Sequence, residues 1–166
     1  SHWEELDLRR LAADVIALQE QVEDTLATFV LEPKEAPRVG FAVLGAETRL
    51  GQVLVNLITN AQSFSPDGGI IRVGLTRERG WITLVVEDQG PGIPEDRLTK
   101  IFSRFYTDRP EQDSFGRYSG LGLSISQQII DAHGGVIRAE NAERDGKVTG
   151  ARLVVRLPEM PADYRL

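Results

Sequence analysis

Two asparagines one helical turn apart, an aspartate entering a double-glycine turn and a glycine pair opening a helix are the residues of this chain best equipped for chemistry. They stand in Asn56-Leu-Ile-Thr-Asn60-Ala61, Asp88-Gln-Gly90-Pro-Gly92-Ile93 and Gly120-Leu-Gly122-Leu123, with Phe102-Ser-Arg-Phe105 between the last two. A neutral amide oxygen is a hard ligand that suits magnesium. A carboxylate beside a glycine turn can accept a hydrogen bond from the amino group of adenine, so Asp88 would set base selectivity. Backbone N–H groups of Gly120 and Gly122, at the start of a helix, can meet phosphate oxygens with the helix dipole behind them. Arg104, Arg109 and Arg117 could each reach a terminal phosphate, with Arg104 preferred because Phe102 and Phe105 flank it. Each segment alone has a plainer reading: helix amides satisfied by neighbours, a turn aspartate bonded to local N–H groups, glycines that allow packing, core aromatics. In this order and together they read as an ATP site.

The elements that must position these residues follow from periodicity. Leu50, Val53, Leu54, Leu57, Ile58 and Ala61 keep the three-four spacing of a helix packed on a sheet over Glu47 to Phe64. Gln52, Asn56 and Asn60 share a neighbouring face of it. Ser65-Pro66-Asp67-Gly68-Gly69 ends the helix and delivers the chain into strand Ile70 to Thr76, which pairs with Trp81 to Asp88 as a hairpin. Before these lie a helix started by Asp7 with a stripe of Leu8, Leu11, Ala12, Val15 and Leu18, and strands over Ala27 to Leu31 and Val39 to Leu44. After them come a short helix over Glu95 to Phe102 and an aperiodic, charged stretch over Ser103 to Ser119. In a compact domain a loop of that length is usually mobile or functional. A helix over Leu121 to Ala132 ends on His133-Gly134-Gly135, with His133 a capping or packing residue, and strands Val136 to Glu140 and Ala151 to Leu157 close the chain. Hairpins mixed with crossovers predict an α/β fold, a two-layer sandwich of one mixed sheet with helices on one face.

Bulk composition narrows the function. The chain has 166 residues, 41% of them hydrophobic, enough for one domain with one core. With no cysteine and only two histidines, disulfides, thiolate metal sites and histidine clusters drop out. Apolar runs fall short of the roughly 20 residues that cross a bilayer, so this domain is not expected to span a membrane. A net charge of −6 with dispersed basic residues gives no nucleic-acid footprint. Because the overall field opposes a polyanionic nucleotide, local N–H donors and a bound magnesium ion must supply the attraction.

Taken together, these segments resemble the catalytic, ATP-binding (CA, HATPase_c) domain of bacterial two-component sensor histidine kinases, in the superfamily that also holds gyrase, Hsp90 and MutL ATPases and shares the Bergerat ATP-binding fold. Leu50 to Pro66 is similar to the family's N box, Glu87 to Pro94 to its G1 box, Ile101 to Tyr106 to its F box and Gly120 to Ile125 to its G2 box. The resemblance implies that Asn60 holds Mg2+ and that Asn56, with Arg104, acts near the reacting phosphates. It implies an ATP pocket bounded by Asn56, Asn60, Phe64, Asp88, Gly90, Gly92, Ile93, Phe105, Gly120, Leu121, Gly122 and Leu123. The ATPase relatives carry a water-activating Glu where Asn56 stands, so slow hydrolysis and transfer to a side chain are expected. Two positions depart from the pattern: Ser63 replaces a basic residue near the phosphates, and Tyr118 a glycine before Gly120.

The resemblance also implies partners. The phosphoacceptor histidine belongs to a separate dimerisation domain, since neither His2 nor His133 has the expected His-Glu or His-Asp signature, and a response regulator follows downstream. The isolated domain is expected to be monomeric and cytoplasmic, in a parent sensor held at the membrane. Two other readings remain: a slow ATPase or serine kinase of the same fold, and a module that binds ATP without transferring phosphate.

Overall fold

The computed structural model describes residues 2–22, 26–104, 106 and 122–161. Within them, strand β1 (Glu4–Asp7) leads into helix α1 (Leu8–Glu20), followed by β2 (Thr28–Glu32), β3 (Ala42–Gly45), helix α2 (Glu47–Phe64), β4 (Ile70–Glu78) and β5 (Trp81–Glu87). Two short 3-10 turns (Glu95–Arg97 and Lys100–Phe102), helix α3 (Gly122–Ala132), β6 (Val136–Arg144) and β7 (Lys147–Pro158) complete them.

Among the described residues five strands form one sheet in the order β2-β4-β5-β7-β6. Only β2 runs parallel to its neighbour β4, while the β4/β5, β5/β7 and β6/β7 pairs are antiparallel, which makes the sheet mixed as expected. The alternation along β5 buries Ile82, Leu84 and Val86 against the helices and turns Thr83, Val85 and Glu87 outward. Leu50, Leu57 and Ile58 of α2 and Ile130 of α3 meet Ile71, Val73 and Ile82 of the sheet in a single cluster. Burial of such aliphatic side chains is worth about 1.5–3 kcal/mol each, so the helical stripe read from the sequence fixes which face of α2 is free for chemistry.

The N-terminal segment differs from its reading as a plain helix start. Residues Glu4–Asp7 pair antiparallel with β3, Glu4 opposite Gly45 and Asp7 opposite Ala42. Asp7 does cap α1, its Oδ1 accepting from the N–H groups of Arg9 at 3.0 Å and Arg10 at 3.3 Å. Trp3 stacks on His133 with ring centroids 4.5 Å apart. His133 is buried at the end of α3, where its Nε2 accepts from the Ala46 N–H (3.1 Å) at the start of α2 and its Nδ1 lies 2.7 Å from the Ile129 carbonyl. One imidazole therefore joins the start of α2 to the end of α3, the ends remote from the candidate motifs on those helices, as a packing residue. Gly134 follows at φ 74°, the left-handed stop expected there.

Elsewhere the boundaries move. The short helix over 95–102 is two 3-10 turns, and β3 starts at Ala42 rather than Val39. Strands β6 and β7 extend to a tight turn at Asp145-Gly146, both residues at positive φ.

Candidate functional site

Helix α2 is the element on which the site is assembled, because it contacts both glycine segments. At its end, the Phe64 carbonyl lies against Gly90 so closely that a Cβ on Gly90 would stand 2.5 Å from that oxygen. Only glycine fits there. At its middle, Asn56 reaches α3: its Nδ2 donates to the Gly122 carbonyl at 3.0 Å and to Ser126 Oγ at 3.2 Å. The glycine turn after β5 and the glycine opening of α3 are thus brought to one helix.

Asp88 ends β5 on the inner face of the sheet and is 4% exposed. Its Oδ1 accepts from the Gly90 N–H at 2.8 Å and from the Ala151 N–H at 3.1 Å. Burial pushes its carboxyl above the ordinary range, the two N–H groups pull it back, and neighbouring Glu87 adds a smaller upward push. Both hydrogen bonds fall on one oxygen, so among the described residues Oδ2 is left for a further donor. Gly92 adopts φ 81°, a conformation that glycine takes at no steric cost. Ile93 packs against the core beside it.

Asn56 and Asn60 are both half-buried, yet they differ. Asn56 is tied to α3, whereas the Asn60 carboxamide takes no hydrogen-bond partner among the described residues, and only its backbone carbonyl accepts, from Ser63 Oγ at 2.7 Å. No group of three or more His, Cys, Asp or Glu that could hold a metal occurs among the described residues. A cation here would therefore rest on the Asn60 amide oxygen, ligand phosphates and water, which is a donor set that suits magnesium.

Arg104 is exposed just after the second 3-10 turn. Leu123 is half-buried in the first turn of α3 and packs on the core. Phe105, Gly120 and Leu121 lie outside the described residues, as do Tyr118 and most of the aperiodic stretch. Sequence reasoning missed Asn141, Gly150, Ala151 and Ser126, all of which touch the site. Asn141 offered one signal, a residue of low strand propensity inside a strand. Gly150 and Ala151 act through their backbones and offered none.

Among the described residues no helix is long and apolar enough to cross a membrane. The family model described as "Histidine kinase-, DNA gyrase B-, and HSP90-like ATPase" matches residues 45–161. The chain is 49% identical over 162 residues to the sensor protein ChvG of Rhizobium meliloti (strain 1021), a match that covers 94% of this chain and 28% of that protein. It thus spans little more than a quarter of that relative. The solved catalytic domain of histidine kinase ThkA, nucleotide-free, superposes with a TM-score of 0.79 at 31% identity, covering 97% of this chain and 100% of that one. ThkA in complex with the response regulator protein TrrA superposes with a TM-score of 0.73 at 30% identity, covering 96% of this chain and 42% of that one.

Proposed function

Because the chain belongs to the histidine kinase-, DNA gyrase B- and HSP90-like ATPase family, we propose that it is the Mg-ATP-binding catalytic domain of a sensor histidine kinase, which donates the γ-phosphoryl group to a histidine on a separate dimerisation domain. The observation that carries this reading is the seating of both glycine segments on α2, Gly90 at Phe64 and Gly122 at Asn56. That arrangement supports a carboxylate that recognises the base and a helix start that faces phosphate, both gathered at one asparagine-bearing helix.

Each residue then takes a role. Asp88 accepts a hydrogen bond from the adenine amino group through Oδ2, while Gly90, Gly92 and Ile93 lie against the ring and Phe64 closes the edge. Asn60 holds the magnesium ion, whose chemistry is to neutralise charge on the phosphates. Asn56 orients the phosphates from Oδ1, its nitrogen being committed to α3. Gly122 and Leu123, with Gly120, Leu121 and Phe105, border the phosphates, and Arg104 meets the γ-phosphate. In the transfer step the acceptor imidazole nitrogen forms a P–N bond to the γ-phosphorus as the P–O bond to the β-phosphate breaks, and ADP leaves. An amide at position 56 cannot take a proton from water, so hydrolysis is slow and the phosphoryl group waits for the histidine. A response regulator aspartate then receives it. The parent protein is read as a membrane-bound sensor with this domain in the cytoplasm.

Calorimetry tests the binding step: saturable ADP uptake that weakens when magnesium is chelated is expected, and no uptake overturns the proposal. Mixing the domain with γ-labelled ATP and its dimerisation domain tests the transfer. Label lost in warm acid marks phosphohistidine, whereas acid-stable label or none at all removes the histidine-kinase assignment.

A further inference from the structure

One rung of the β6/β7 ladder grips the turn Asp88–Ile93 at both ends. The rung is the pair Asn141 and Ala151, directly opposite each other. At one end, Ala151 donates its N–H to Asp88 Oδ1 at 3.1 Å and accepts the Asp88 N–H at its carbonyl at 3.0 Å. At the other, the Asn141 carboxamide accepts the Ile93 N–H at Oδ1 and donates from Nδ2 to the Ile93 carbonyl, both at 2.7 Å. A single side chain satisfies both backbone groups of Ile93, the service an adjacent strand normally performs. Between the two grips, a Cβ on Gly92 would stand 2.9 Å from Asn141 Oδ1 and 2.5 Å from Val148 Cγ1, so the turn lies flat on this hairpin.

From this geometry we infer that Asn141 is a positioning residue for base selectivity: by fixing Ile93 against the rung that holds Asp88, it fixes where the aspartate's free oxygen meets the purine edge. The inference rests on the nucleotide-binding reading above. The residue type is demanded by the contact, which needs one donor and one acceptor on a short planar group. Aspartate lacks the donor, leucine lacks both, and glutamine carries the amide one methylene too far. Asn141 touches neither phosphates nor the reacting atoms in this arrangement. Its effect is transmitted through the turn.

The test compares ADP with inosine diphosphate, whose ring carries a carbonyl where adenine has its amino group. Calorimetric affinities for both are measured in the natural chain, in Asn141→Leu and in Asn141→Ser, with melting temperatures alongside. The natural chain prefers ADP, and in the variants this preference shrinks by roughly tenfold, the value of two lost hydrogen bonds. A residue that served folding alone would lower the melting temperature and leave the ratio of the two affinities unchanged. That result in either folded variant overturns the inference while the nucleotide-binding reading stands, and should Asn141→Leu fail to fold, Asn141→Ser decides. A natural chain that takes up neither nucleotide overturns both.

Discussion

The proposed base end and the proposed phosphate end of this site are built by opposite means. The turn Asp88–Ile93 is held by backbone groups and one carboxamide from strands 48 to 63 residues away in sequence. Room there is absent: a Cβ on Gly150 would overlap the Asp88 carbonyl oxygen, and one on Gly90 would press on the Phe64 carbonyl. At the phosphate end, one side chain bridges two helices, and a Cβ on Gly122 would rest 3.6 Å from Asn56 in ordinary contact. A rigid base end and a roomier phosphate end suit a site that must choose its nucleotide yet admit a second protein's side chain.

The sharpest way to break that contrast is Gly150→Ala. The obstructing atom is backbone held in a strand pair, so it cannot swing aside as a flexible side chain would. The substitution should cost the upper end of the about 1–3 kcal/mol usual for overpacking and should abolish ADP binding in whatever remains folded. Chemical denaturation measures the first and calorimetry the second. A loss below about 0.5 kcal/mol, the level of an ordinary surface change, would mean the base end yields and the contrast is wrong.

Asp88→Asn comes next. A hydrogen bond to a charged group is worth about 1.5–3 kcal/mol, so ADP affinity should fall roughly 10- to 100-fold. The same residue predicts a pH signature. Burial raises its pKa, so the ionised form proposed to accept from adenine is lost on acidification before ordinary exposed carboxylates titrate. Stability runs the other way. With the folded pKa above the unfolded one, the contribution of Asp88 to folding is full below the ordinary carboxylate value and is lost as pH rises through the folded pKa. ADP-induced stabilisation should therefore shrink on acidification while the ligand-free domain gains from this residue. Calorimetric scans with and without ADP across mildly acidic pH should show it, and the effect should vanish in Asp88→Asn.

The same contrast explains what was legible in the sequence. The stripe on α2 and the alternation along β5 are local repeats, so the sandwich and the orientation of Asn56 and Asn60 could be read directly. Asp88, Gly90 and Gly92 announced themselves because a turn of this kind needs those residue types. Strand β1 was hidden because Glu4–Asp7 has three exposed positions out of four and earns its place only by pairing with β3. Asn141 and Ala151 were hidden for a related reason. Their partners are backbone groups of a distant turn, so the contact marks residue type only at Asn141, and an asparagine in a strand does not say which distant groups it bonds.

Asn56→Ala probes the phosphate end. It removes donors to the Gly122 carbonyl and to Ser126, which is fully buried, for an expected loss of about 1–3 kcal/mol at roughly 0.5–1.5 per bond. Because the base end does not depend on α3, adenosine should bind almost as well as before while ADP weakens. Equal losses for adenosine and ADP would show that the two ends are one cooperative unit.

The mildest change is the most discriminating. Gly122→Ala places a methyl in ordinary contact with Asn56 at the first residue of a helix, where alanine is the better helix former by up to about 1 kcal/mol. Stability should hold or rise slightly, and ADP affinity should stay within about twofold, because a helix start donates its N–H groups to phosphate whether or not a Cβ is present. A tenfold loss of ADP affinity with stability intact would mean that phosphate oxygens press directly on the Gly122 Cα. The phosphate end would then be as closely fitted as the base end, and Gly122, like Gly90, would be there because nothing larger fits.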